Sequence, residues 1–133
     1  MLIITSEPTD VIYQALIKFA LSQCSSFSLV WRNCSIFDDK TIRKQIESEL
    51  SSLLIKQEHA LKWPGTQQLL GPELVRHYRA EESALAVLSK VYGLYSWLHP
   101  LPEDLAFYST DAQCWFGSIA HEQFAWFEDQ QIE

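Results

Sequence analysis

Three short aromatic-rich runs, Leu105 to Ser109, Cys114 to Ala120 and Phe124 to Glu128, follow one another near the C-terminus. Only Thr110-Asp111-Ala112-Gln113 and His121-Glu122-Gln123 separate them. Aromatic residues fit a pleated surface, and polar links of this length suit hairpins, so the spacing predicts a three-stranded antiparallel meander. In the middle run Trp115, Gly117 and Ile119 are expected to point one way, and Phe116 and Ser118 the other. Gly117, set among large rings, marks a bulge or a place where a neighbouring ring lies over the backbone. A sheet with rings on both faces needs a cover on each side.

The rest of the chain supplies covers for one face. Val11, Ile12, Ala15, Leu16, Phe19 and Ala20 recur at helical spacing, which predicts a helix from about Thr9 to Gln23 with Gln14, Lys18 and Ser22 turned outward. Before it, Leu2 to Thr5 suits a short strand, and after it Phe27, Leu29 and Trp31 alternate with polar or smaller neighbours as in a strand. Asp38 and Asp39 are expected to open a second helix, whose seam is Ile42, Ile46, Leu50, Leu53 and Leu54. Gln57 to Pro72 reads as a loop around Trp63-Pro64-Gly65-Thr66 and Gly71-Pro72. Glu73 to Arg79 fits either a helix or a strand, with helix preferred. A further helix is expected from Glu81 to Tyr92, stopped by Gly93, and Pro100 and Pro102 bar a helix between Leu98 and Glu103. Helices early and strands late predict a single α+β domain over residues 1–133, with helices on one face of an antiparallel sheet.

The charge is placed as unevenly as the rings. The formal net charge is -7, and residues 1–90 hold ten acids and ten bases, so the whole imbalance falls in residues 91–133, with seven acids and no Lys or Arg. Such a surface repels phosphate backbones and anionic lipid, which argues against nucleic-acid and membrane partners and favours a basic protein. No apolar run approaches the roughly 18 residues of a membrane span and the start lacks a leader pattern, so a cytoplasmic protein is expected. Cys24, Cys34 and Cys114 show no paired spacing and are expected to be reduced thiols.

Few residues combine into recognisable chemistry. There is no phosphate-binding glycine loop and no nucleophile elbow, and Gly65, Gly71, Gly93 and Gly117 stand alone. The nearest approach to a metal set is His121-Glu122 with Asp111, Glu103 or His99, but adjacent residues do not converge on one ion, so neither metal nor cofactor is expected. Glu103 and Asp104 follow a proline and read as wet turn residues. Arg76, His77 and Arg79 form the compact basic cluster, expected to pair with Glu73, Glu81 or Glu82 nearby.

The preferred reading is therefore a non-catalytic protein-binding module, of the kind an acidic inhibitor or immunity protein represents, docking a basic partner through its C-terminal sheet. Its expected partner-binding residues are Tyr108, Trp115 and Trp126 as anchors, with Asp111, Glu122 and Asp129 as steering carboxylates. The alternative is a small hydrolase using His121, Glu122 and Cys114 near a cleft beside His99. A homo-oligomer burying the aromatic face is the third reading.

Overall fold

The computed structural model describes residues 1–128. Its strands are β1 (Leu2–Ile3), β2 (Ser26–Trp31), β3 (Leu54–Ala60), β4 (Lys62–Trp63), β5 (Thr66–Gln67), β6 (Glu73–Arg79), β7 (Glu103–Tyr108), β8 (Cys114–Ile119) and β9 (Phe124–Phe127). The helices are α1 (Asp10–Gln23), α2 (Thr41–Leu50) and α3 (Ala84–Leu88). Seven strands form one sheet in the order β1-β9-β8-β7-β2-β6-β3, every neighbouring pair antiparallel, and β4 and β5 make a separate hairpin. The result is an α+β domain with the meander β7-β8-β9 at its C-terminal end.

The helical layer covers one face of the sheet. Phe27, Leu29 and Trp31 of β2, Leu105 and Phe107 of β7, and Phe116 of β8 bury against Tyr13, Ile17 and Ala20 of α1, Ile46 and Leu50 of α2, and Leu88 of α3. Phe27 stacks on Tyr78 at 5.2 Å and tilts against Phe107 at 5.8 Å. The buried Tyr13 hydroxyl donates to the Leu88 carbonyl at 2.6 Å and accepts from the Trp97 indole at 2.8 Å. That pair of hydrogen bonds fixes which side of α1 turns inward, because a buried hydroxyl without partners would cost about 1–3 kcal/mol.

Several expectations give way here. The inward stripe of α1 is Tyr13, Ile17, Ala20 and Leu21, so Val11, Ile12, Ala15 and Phe19 of the expected seam face outward. Glu73 to Arg79 is a strand. Val75 and Tyr78 are buried on opposite faces, and β2 and β3 satisfy its backbone on both sides, as a period-two pattern requires. The loop expected over Gln57 to Pro72 contains most of β3 and the β4-β5 hairpin. Strand β3 is an exposed edge, and its polar composition hid it. Helix α2 ends at Leu50, a 3-10 turn over Ser51–Leu53 follows, and Leu54 already belongs to β3. The Glu81 to Tyr92 helix shrinks to α3, because Asp10 N donates to the Tyr92 carbonyl and Leu94 N to that of Pro8, drawing the segment beyond α3 against the start of α1.

The other face of the sheet has its own lid. The β4-β5 hairpin folds across it, packing Trp63 on Val30 and Val75. Trp126 of β9 lies under the same hairpin. A Cβ built on Gly65 would stand 2.5 Å from its Cη2, and one on Gly117 would stand 2.7 Å from the same atom. The indole is thus gripped between two glycine backbones, which is the ring contact expected at Gly117.

Candidate functional site

The two carboxylates expected in a wet turn are buried at the start of β7, Glu103 at 4% exposure and Asp104 at 2%. Glu103 pairs with the Arg32 guanidinium and accepts from His99 N at 3.1 Å. Asp104 accepts from the Trp63 indole at 2.9 Å and from Ala120 N at 3.1 Å. Burial holds the Asp104 carboxyl above the ordinary carboxylate range, while those two hydrogen bonds pull it back. These acids are consumed internally, Glu103 by the sheet end and Asp104 by the hairpin lid, and neither offers charge to a partner.

The six expected partner-binding residues do not form one surface. Trp126 is 3% exposed beneath the hairpin, and its indole donates to Glu128. Tyr108 shares a hydrogen bond with Ser28 at 2.8 Å on the hairpin-covered face. Asp111 accepts from the Ser109 hydroxyl in the β7-β8 turn, and Glu122 follows the far end of β8. Those two acids are therefore separated by roughly the 17 Å length of a six-residue strand. Asp129 lies outside the described residues. Trp115 has changed face: Phe107 pairs with Phe116 and Tyr108 with Cys114, which makes Trp115 the extra residue of a bulge. Its ring packs 5.9 Å from Phe19 of α1 and 5.1 Å from Phe127.

The hydrolase set is not assembled either. His121 and Glu122 are neighbours at 3.8 Å on an exposed 3-10 turn, whereas Cys114 begins β8 at its opposite end. Burial, with Glu128 nearby, pushes the Cys114 thiol up to about 12, so it is protonated at neutral pH. His99 lies elsewhere, bonded to Asp38 at 3.0 Å. The basic cluster pairs widely: Arg79 with Glu81 at 2.8 Å, Arg76 with Glu47 at 2.6 Å, and His77 with Glu58 at 3.5 Å.

What the fold does expose is a continuous apolar surface where the helical layer stops short of the sheet edge. Leu2 of β1 lies opposite Phe127 of β9 and shares its face. Beside them a groove of about 320 Å³ runs between Ile4 and Phe127 on the sheet and Ile12 and Leu16 on α1. Phe19 and Trp115 extend this surface along the helix. Leu2 is 67%, Ile12 70% and Phe19 54% exposed. Glu7 lines the groove, and Asp10 opens α1 beside it. Residues 1–17 and 91–128 contain no Lys or Arg, and Lys18, beside Phe19 on α1, is the one base in the stretches that build this surface.

Sequence reasoning found Trp115 and missed Ile12, Leu16 and Phe19 as surface residues. The available signal was an α1 sequence with too many apolar residues for one stripe. Comparison with protein-family models, with curated proteins and with solved structures finds no match, so the residues themselves carry the functional argument. Among the described residues no helix is long and apolar enough to cross a membrane.

Proposed function

We infer that this protein is a non-catalytic binding module that docks a basic protein partner on the α1-β9 surface, as an inhibitor or immunity-type protein would. The observation that carries this reading is the outward stripe of α1. Ile12 and Phe19 stand in solvent beside Trp115 and Phe127, in a region where acids outnumber bases and Lys18 is the one Lys or Arg. An apolar aromatic centre with an acidic rim is the complement of a partner with an apolar centre and a basic rim, and the rim charge accelerates encounter. The three free cysteines suit a reducing compartment such as the cytoplasm.

The test is a double substitution, Ile12→Ser with Phe19→Ser, compared with wild type for retention of basic proteins from native extract and for unfolding by urea. Retention lost with little change in stability supports the reading. Equal retention by both forms sinks it. Sedimentation equilibrium decides the competing homo-oligomer: a monomer mass that doubles with concentration, and reverts in the double variant, would assign the same surface to self-association.

A further inference from the structure

We propose that Cys34, Asp38 and His99 form a binding site for a first-row divalent transition metal ion, zinc above all. The site shares no residue with the docking surface and goes beyond that reading. It lies where the loop after β2 meets the segment before β7. One ligand atom from each residue lies within 4.8 Å of the others. In a tetrahedral zinc site, bonds of about 2.0–2.3 Å put ligand atoms roughly 3.3–3.7 Å apart, so closing these three onto one ion takes a movement of about 1 Å.

Each of the three still has a lone pair to give. Asp38 Oδ2 accepts from Ser35 N at 2.8 Å and contacts His99 Nε2 at 3.0 Å, and among the described residues Oδ1 takes no hydrogen bond. Among the described residues His99 Nδ1 is buried without a hydrogen-bond partner, a condition that native structures rarely leave unexplained. Among the described residues Cys34 Sγ has a single 3.9 Å contact, to the Pro100 carbonyl. A thiolate, an imidazole and a carboxylate together select a borderline cation over calcium or magnesium, which prefer all-oxygen sets. Three protein ligands leave the fourth position for water or a small anion, the arrangement of an open rather than a closed zinc site.

The surroundings hold the two segments in place without supplying ligands. Arg43 donates to the Pro100 carbonyl at 3.1 Å and to the Arg32 carbonyl at 2.7 Å, tying the two segments together. Glu103, paired with Arg32, accepts from the His99 backbone. Such outer contacts orient metal ligands, and their loss typically costs ten- to a hundredfold in affinity. The sequence hid the trio because His99 stands far along the chain from Cys34 and Asp38.

The experiment is titration of the purified, chelator-treated full chain with cobalt(II), followed by displacement with zinc. The expected result is saturation at one equivalent, with a thiolate-to-cobalt charge-transfer band and the visible absorption of a four-coordinate ion. Cys34→Ser should abolish the charge-transfer band, Cys114→Ser should keep it, and His99→Gln or Asp38→Asn should weaken binding at least tenfold. A wild-type titration with no saturable charge-transfer band would overturn the proposal whether or not the variants fold. A band that survives in Cys34→Ser would overturn it equally, by placing the ion elsewhere.

Discussion

Trp126 and Phe127 are adjacent on β9 and have opposite fates. Trp126 points to the face closed by the β4-β5 hairpin and is sealed between Gly65 and Gly117. Phe127 points to the helical face at a place the helices do not reach, and it borders an open groove with Ile12 and Leu16. Alternation along a strand sends neighbours to different environments, so one strand can carry a core residue and a surface anchor side by side. The difference teaches that aromatic density alone does not locate an interface. What matters is whether the chain's own elements extend far enough to cover each ring.

The largest expected effect comes from opening the sealed side. Trp126→Ala should cost about 3–5 kcal/mol of folding stability, measured by urea unfolding, because it empties a packed site between two backbones. Gly117→Val tests the same grip from the other direction: an added side chain collides with the indole, and overpacking of this kind costs about 1–3 kcal/mol. If either change leaves the urea midpoint unmoved, the hairpin is not a lid. Next comes Trp63→Phe, which keeps the ring and deletes the donor to Asp104. A loss of about 1–3 kcal/mol is expected from the carboxylate left short of a partner.

A smaller effect concerns pH. The Asp104 carboxyl titrates above its unfolded value of 3.8 when folded, so between the two values the folded state binds more proton than the unfolded state. Its contribution to stability therefore grows as pH falls through the folded value, and shrinks as pH rises again. Urea midpoints of wild type and Asp104→Asn, followed from neutral pH toward the ordinary carboxylate range, should diverge in favour of wild type. A constant difference would mean that Asp104 is not perturbed. On the open side, Ile12→Ser should change stability by no more than about 0.5 kcal/mol, as for most surface substitutions, since its side chain is already largely in solvent.

The legible parts of the fold were those set by local pattern. The meander follows from three aromatic runs and two short polar links, and α1 begins and ends within a residue of its expected span. The illegible parts depended on distant partners. Tyr13 wins the inward position on α1 because its hydroxyl donates to the Leu88 carbonyl and accepts from the Trp97 indole, and nothing near Tyr13 in the chain says so. Strand β6 carries Arg76, His77 and Arg79 among its apolar residues, so its period was ambiguous until β2 and β3 flanked it. Trp115 lies on the face opposite to the one its alternation implies, because one extra residue in β8 reverses that alternation. Of the candidate site, the sequence offered Trp115 and the acidic bias, while the groove required α1 and β9 to meet.

The most direct test of the docking surface is the paired capture experiment, run with wild type and the Ile12→Ser, Phe19→Ser double variant at low salt and at about 0.5 M salt, where charges are screened beyond about 4 Å. The expected result is a basic protein retained by wild type at low salt, reduced at high salt and missing from the double variant, with the two forms equally stable to urea. The same proteins retained by both forms at both salt concentrations would contradict it.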